Sequence, residues 1–240
     1  MDIPLILLPG TLCDARLWAA QVTGLSSERT VQVGDLTRDR SIAAMAARVL
    51  AVAPPRFALA GLSLGGIVAL EIVRRAPQRV ERLALLSTTA RPPSAGQVEQ
   101  WRLFATLARA GRLDEVVREQ LLPKLVSASR LHCPQITTTV AAMAEAVGPD
   151  AYLRQLAALE TRIDSRPQLG QIACPTLVLA GEADVICPPE LHAELAVGIP
   201  EAQFMRLPDC GHLSALEQPA RVTEVLSAWL AAGLEAPHGQ

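Results

Sequence analysis

The sequence predicts an α/β fold, with a mostly parallel sheet of about six strands covered by helices. Short apolar segments without polar alternation predict strands buried on both faces, as the strands of a parallel sheet are. Segments with apolar residues at helical spacing separate most of these strands, so right-handed crossover connections are expected. The predicted strands are residues 3–8, 30–33, 57–60, 80–87, 176–180 and 203–207.

Helix signals lie between the predicted strands. Ser41 is a residue type that caps helix N-termini, and Met45 and Val49 follow it at helical spacing, which predicts a helix over 41–52. Further helices are expected around Trp18 and over 65–76, 191–195 and 220–230.

The alternation of strands and helices stops between residues 92 and 167. This segment contains no strand candidate, and its amphipathic spacing predicts four helices, at 95–110, 113–126, 134–147 and 150–163. We therefore predict a core domain made of residues 1–91 and 168–240, with residues 92–167 inserted as a helical cap.

Composition excludes several classes of function. The 240 residues suit one α/β domain, and with 50% hydrophobic residues, 19% charged residues and a net charge of −2 neither disorder nor a nucleic-acid partner is expected. No uncharged apolar segment reaches the ~18 residues of a membrane span, and the first residues carry no basic leader, so we expect no membrane partner and a cytoplasmic location. Five scattered cysteines without a C-x-x-C pair predict reduced thiols and no metal site.

The segment Gly61–Gly65 has the pattern G-x-S-x-G between a predicted strand and a predicted helix. A strand that turns into a helix this sharply strains the turning residue and requires small residues two positions to either side. Gly61 and Gly65 meet that requirement and leave the hydroxyl of Ser63 exposed at the turn. The alternative is an ordinary serine in a glycine-rich turn.

A serine nucleophile needs a base, and the base needs an orienting acid. Of the four histidines, His212 follows the last predicted strand, and loops at the carboxyl edge of a parallel sheet form ligand sites. A structural loop histidine is the alternative. His132 lies in the helical segment, His192 on an expected surface helix and His238 in the C-terminal tail.

The candidate acid is Asp184, which follows the strand 176–180 and lies between the serine and the histidine in chain order. Glu182 is the rival carboxylate, whereas Asp209 is too close in sequence to His212 to be the first choice. A solvent-exposed loop acid is the alternative for each of the three.

Four segments follow one another along the chain: Leu7-Leu8-Pro9-Gly10, Gly61-Leu62-Ser63-Leu64-Gly65-Gly66, Gly181-Glu182-Ala183-Asp184 and Gly211-His212-Leu213-Ser214-Ala215-Leu216-Glu217-Gln218-Pro219. In this order they resemble motifs of the α/β-hydrolase fold superfamily, and in particular of its small esterase branch, which includes pimeloyl-carrier methyl ester esterases. The resemblance covers both ends of the chain and leaves the helical segment unmatched. It implies a Ser63 nucleophile, His212 as general base and then acid, and Asp184 as the residue that orients the imidazole, with no cofactor.

An oxyanion formed on the attacked carbonyl needs preorganised N–H donors. The residue after the nucleophile, Leu64, is the expected first donor because its amide also lies at a helix N-terminus. By resemblance the second donor is Thr11. Pro9 stands where the family commonly has histidine, so the bracing of this loop is open and Leu12 is the alternative donor.

A substrate pocket is expected between the serine and the helical cap. Residues at helical spacing also form the core of a cap, so the pocket assignment competes with simple packing. The segment 92–167 carries nine Arg or Lys against eight Asp or Glu, so its charges nearly balance. An acyl carrier protein is compatible with this segment as a partner, but it would favour a basic cap face, and the residues give it no support. The candidate lining residues are Leu12, Trp101, Phe104, Met143 and Tyr152.

Three functions are compatible with the sequence. The leading hypothesis is a serine esterase that cleaves a small to medium, largely apolar carboxylic ester through an acyl-enzyme. The second keeps the same three residues for a thioester, a lactone, acyl transfer or C–C bond hydrolysis. The third is a non-enzymatic receptor for a small ligand. A monomer or a homodimer is expected.

Overall fold

The computed structural model describes residues 3–232, and within them six strands form one parallel sheet. The strand order is β2-β1-β3-β4-β5-β6, and every pairing is parallel, as predicted. The strands are β1 (Leu5–Leu8), β2 (Val31–Val33), β3 (Phe57–Leu62), β4 (Val80–Leu86), β5 (Thr176–Gly181) and β6 (Gln203–Leu207).

Burial follows position in the sheet. Strands β1, β3 and β5 are buried at every residue, which explains their uninterrupted apolar sequences. The outer strands β2 and β6 are partly exposed and carry polar residues such as Gln32 and Arg206. The centre of the sheet therefore provides a rigid, water-free platform, and the loops at its carboxyl edge are fixed to it.

Helices connect the strands and fill the long segment between β4 and β5. Short 3₁₀ segments lie at Ala15–Trp18, Pro77–Arg79, Ala128–Arg130 and Arg166–Gln171, and a π-helical segment lies at Val116–Leu121. The α-helices are α1 (Ala19–Leu25), α2 (Ile42–Val52), α3 (Leu64–Arg75), α4 (Ala95–Arg109), α5 (Leu113–Glu115), α6 (Leu122–Leu125), α7 (Pro134–Glu160), α8 (Pro189–Gly198), α9 (Ser214–Glu217) and α10 (Pro219–Ala231).

Local chemistry explains several helix boundaries. Ser41 caps α2 as predicted, because its side chain accepts the N–H of Ala44 at 3.2 Å. Ser94 and Gln97 form a reciprocal capping box at the start of α4. Gly148, with φ 73° and ψ 169°, interrupts α7 and divides it at the boundary predicted between two helices.

The strand β3 differs from its predicted bounds in a way that matters for the site. It continues two residues beyond Ala60, because Gly61 and Leu62 still pair with Leu85 and Leu86 of β4. Only Ser63 then separates β3 from α3. The chain therefore reverses its direction at a single residue.

His192 lies on α8, a helix whose residues are mostly at least partly exposed, as expected, but its own side chain does not face solvent. Its side chain is fully buried, and Nε2 accepts the backbone N–H of Thr88 at 3.0 Å. Burial lowers the pKa of His192, which keeps the ring neutral and able to accept. This histidine therefore satisfies a buried amide at the end of β4.

Within residues 3–232, no helix is long and apolar enough to cross a lipid bilayer. The predicted C-terminal tail, including His238, lies outside the described residues.

Candidate active site

Ser63 occupies the turn between β3 and α3 in a strained backbone conformation, with φ 57° and ψ −115°. Such a conformation costs about 1–3 kcal/mol in a non-glycine residue and persists only where neighbouring structure enforces it. Here the Ser63 N–H donates to Leu86 at 3.0 Å, and its carbonyl accepts the Thr88 hydroxyl at 2.8 Å. The backbone of Ser63 is thus held in place by the last residue of β4 and by the segment that follows it.

Two glycines make this turn sterically possible. A Cβ on Gly61 would overlap the carbonyl of Gly65, and a Cβ on Gly65 would overlap the carbonyl of Leu8 in β1. These obstacles are backbone atoms, which cannot swing aside as a side chain does. The G-x-S-x-G pattern therefore has the steric cause that the sequence predicts.

His212 and Asp184 lie on the loops after β6 and β5 and are joined by a hydrogen bond of 2.8 Å between Nδ1 and Oδ2. Both side chains are buried. Because an ionised carboxylate only accepts, Nδ1 of His212 is the donor, which leaves Nε2 of the neutral ring as a free acceptor. That is the tautomer a general base requires.

The other oxygen of Asp184 is also occupied. Its Oδ1 accepts the N–H groups of Ile186 at 2.9 Å and Cys187 at 2.8 Å. Burial by itself would raise the pKa of Asp184, but its attraction and hydrogen bond to His212, together with the two N–H donors, hold that pKa below the ordinary aspartate value. The carboxylate is therefore ionised at neutral pH and fixed in orientation.

The rival acids make other contacts. Glu182 is exposed and lies 3.4 Å from Arg206, while Asp209 accepts the hydroxyl of Ser129 at 2.7 Å. Among the carboxylates of residues 3–232, that of Asp184 is the one hydrogen-bonded to His212.

Glu217 supports the histidine loop and was not singled out from the sequence. Its buried carboxylate accepts the N–H of Gly211 at 3.0 Å and that of Ser127 at 2.8 Å. The residue before His212 is thereby fixed to the segment between β4 and β5. Glu217 does belong to the matching motif that begins at Gly211, which was the signal available.

A cavity of about 460 Å³ brings Ser63 and His212 together, with Thr11 also in its wall. In residues 3–232 no hydrogen bond joins the Ser63 hydroxyl to His212, and such contacts commonly tighten only when substrate binds. The cavity has a size typical of small-molecule sites.

The predicted lining residues divide into two groups. Trp101, Phe104 and Tyr152 line the cavity. Leu12 and Met143 are not among its lining residues; their side chains pack in the hydrophobic core on sides that do not border the cavity. Residues at helical spacing therefore include some that line the cavity and some that pack in the hydrophobic core, which are the two alternatives that the sequence left open.

The two candidate amides near Pro9 differ in their partners. The N–H of Leu12 donates to Oε1 of Gln155 at 3.0 Å, and Nε2 of Gln155 donates to the carbonyl of Leu36 at 3.3 Å. Gln155 is completely buried and belongs to α7. The Leu12 amide is therefore already hydrogen-bonded, whereas Thr11 is part of the cavity wall.

Cysteines near the site are not activated. Cys13 and Cys187 line the cavity, but burial raises the pKa of Cys13 to about 12 and that of Cys187 well above the ordinary thiol value. Since the thiolate is the nucleophilic form, neither residue competes with the serine.

A parallel sheet with a serine at a strained strand-to-helix turn and an Asp–His pair on later loops is typical of hydrolytic enzymes. The chain matches the sequence profile described as the alpha/beta hydrolase family over residues 5–225 and belongs to that family. The predicted family and fold are thereby confirmed.

Named relatives point in the same direction. The chain is 31% identical to a pimeloyl-[acyl-carrier protein] methyl ester esterase from Xanthomonas oryzae pv. oryzae, with 95% of this chain and 94% of the relative covered. It is similar in structure to a thermophilic esterase from Thermogutta terrifontis (TM-score 0.87, 31% identity, 96% and 90% covered). An enol-lactonase from Burkholderia xenovorans LB400 is also similar (TM-score 0.88, 25% identity, 96% and 92% covered). These likenesses support an ester-acting hydrolase.

The steric account of the turn predicts the effect of Gly65→Ala. The added methyl group meets the backbone of β1, so the free energy of unfolding should fall by about 1–3 kcal/mol or more. Urea unfolding followed by circular dichroism measures this change.

Gly96→Ala is the matched control, because a Cβ there has nothing within 4 Å and lies in α4. It should leave stability unchanged or raise it by up to about 1 kcal/mol. Equal stability of the Gly65→Ala and Gly96→Ala proteins would contradict the account of the turn.

Proposed function

We propose that this chain is a serine esterase that cleaves a small to medium, largely apolar carboxylic ester through an acyl-enzyme. The observation that carries the proposal is the buried Asp184–His212 hydrogen bond at the cavity that also contains Ser63. The esterases among its relatives support the same reaction class.

In the proposed reaction Ser63 Oγ attacks the ester carbonyl carbon while its proton passes to Nε2 of His212. The resulting C–O bond makes a tetrahedral oxyanion. When this intermediate collapses, the ester C–O bond breaks, and His212 returns the proton to the leaving alcohol. Water then attacks the acyl-enzyme with the same proton transfers and releases the acid. Asp184 keeps the imidazole oriented and stabilises its charged form.

The proposed oxyanion donors are the backbone N–H groups of Leu64 and Thr11. Leu64 opens α3, where the first amides lack intrahelical acceptors. Thr11 is preferred to Leu12 because the Leu12 amide donates to Gln155. Pro9 has no side-chain donor, so we assign the bracing of this loop to Gln155, a positioning residue.

Residues 92–167 act in this proposal as a cap over a core formed by 1–91 and 168–240. The cavity wall supports this division, since Ser63 and His212 come from the core and Trp101, Phe104 and Tyr152 from the inserted helices. Apolar cap side chains bury the acyl chain and exclude water from the developing charges.

Covalent labelling tests the proposal. A fluorophosphonate should label the peptide that contains Ser63, and the parent protein should hydrolyse short p-nitrophenyl esters. Ser63→Ala should lose both reactions, whereas Ser26→Ala should keep both, because Ser26 is an exposed serine of the proposed core domain. Peptide mass spectrometry and release of p-nitrophenol are the measurements. The proposal would be refuted by a folded parent protein that stays unlabelled, or by a Ser63→Ala protein that hydrolyses the esters at the parental rate.

The positioning role of Gln155 gives a kinetic prediction. In Gln155→Leu the Leu12 amide loses its acceptor and the adjacent Thr11 amide is misplaced, so kcat should fall by up to about 10²-fold. KM should change little, because the oxyanion exists only after attack.

The control is Gln135→Leu, an exposed glutamine on the same helix, which should retain both constants. A Gln155→Leu protein in which KM rises and kcat is unchanged would assign this residue to substrate binding instead.

A further inference from the structure

Arg162 lies just after the end of α7 and lines the same cavity as Ser63. Its residue surface is only 8% exposed. The reaction proposed above uses no positive charge at this position. A buried cation in a largely apolar wall therefore needs a separate explanation.

The contacts of Arg162 are with neutral groups. Nη2 donates to Oε1 of Gln97 at 2.8 Å and to the carbonyl of Pro92 at 3.4 Å, and its guanidinium lies 5.3 Å from the ring centre of Trp101. Nε is buried without a hydrogen-bond acceptor, and within residues 3–232 no carboxylate pairs with this arginine. Within the described residues, two of the five N–H donors of the guanidinium therefore have an acceptor, and the other three have none.

Other arginines of the chain show the opposite pattern. Arg91, Arg112 and Arg166 are exposed, and each forms an ion pair with a carboxylate at 2.6–2.8 Å. Arg162, by contrast, is buried and has no carboxylate partner in the described part of the chain. Within the same residues Arg82 is also buried without a carboxylate, but it donates to the backbone carbonyls of Trp229 and Ala232 and does not line this cavity.

Burial of a charge costs several kcal/mol per ion unless it is paired. Burial lowers the pKa of Arg162, but an arginine side chain does not lose its proton in a protein. The cation–π contact with Trp101 offsets part of this cost. The cavity lining also contains Lys124 and, among the described residues, no aspartate or glutamate. The cavity is therefore set up to receive a negative charge.

We propose that Arg162 binds a carboxylate that the substrate carries at a position remote from its ester carbonyl. This inference rests on the proposed function and narrows its substrate class to esters with an apolar chain and one anionic end. A guanidinium matches a carboxylate with two parallel hydrogen bonds. A single buried cation balances one negative charge, which favours a carboxylate over a doubly charged phosphate.

A purely structural role is the competing explanation. The bonds to Pro92 and Gln97 join the end of α7 to the start of α4 and so contribute to the attachment of the inserted helices. Loss of such a role would affect all substrates equally. Discrimination between a charged and a neutral substrate separates the two explanations.

The experiment compares two pairs of isosteric esters. Monomethyl glutarate and its neutral ω-amide place the group on the acyl side, and the butyrate esters of 3-hydroxypropanoic acid and its amide place it on the alcohol side. For one pair the parent protein should prefer the carboxylate by at least about tenfold in kcat/KM. The pair that shows the preference identifies the side of the ester that lies at Arg162.

Arg162→Gln should reduce this preference by about tenfold or more, with a much smaller effect on the amide, and Arg162→Lys should retain part of it. Arg102→Gln, at an exposed arginine of α4, should keep the parental preference. A parent that prefers the amides in both pairs overturns the inference, even where the Arg162 variants do not fold. An equal loss on carboxylate and amide also overturns it.

A binding arm separates this inference from the proposed function. Calorimetric titration of the two carboxylate esters, one from each pair, into Ser63→Ala should show binding of at least one of them, and that binding should be lost in the Ser63→Ala/Arg162→Gln double variant. Binding of this kind without any ester turnover by the parent supports the subsite and refutes the esterase. Turnover without a charge preference refutes the subsite and leaves the esterase standing.

Discussion

The site depends on the hydrogen bond between Asp184 and His212. A buried carboxylate is costly unless its oxygens are hydrogen-bonded, and here one oxygen accepts two backbone N–H groups while the other accepts the imidazole N–H. The imidazole orientation, its tautomer and the free acceptor at Nε2 all follow from this arrangement. Without it, Ser63 is a strained serine beside a cavity, and the proposed base His212 has no group that orients its ring.

The parallel sheet holds Asp184 and His212 at hydrogen-bonding distance. Its central strands are buried and continuous, and the loops that carry Asp184 and His212 follow neighbouring strands at one edge. Ser63 reaches the same edge because Gly61 and Gly65 allow an abrupt turn, and because Leu86 at the end of β4 binds its N–H and Thr88 binds its carbonyl. Rigid elements thus supply the three proposed reactive groups, and the inserted helices supply the wall facing them.

The sequence predicted the parts whose causes are local. Apolar segments, a serine cap at Ser41 and the glycine spacing around Ser63 depend on neighbours within a few residues, and the structure has the corresponding strands, helix start and turn. Gln155 escaped prediction because its partner Leu12 is 143 residues away. The buried, hydrogen-bonded side chain of His192 escaped prediction for a similar reason, since its partner Thr88 is 104 residues away. Apolar periodicity on the helices between β4 and β5 likewise does not separate residues that line the cavity from residues that pack in the hydrophobic core.

Replacement of the acid tests the central claim most directly. Asp184→Asn preserves size but lets the side-chain amide donate to Nδ1, which favours the wrong tautomer of His212, so kcat for a short ester should fall by up to about 10⁴-fold. The melting temperature should establish that the variant is folded, and Asp209→Asn, whose carboxylate contacts Ser129, should keep parental kcat. A folded Asp184→Asn protein with kcat within tenfold of the parent would contradict the account.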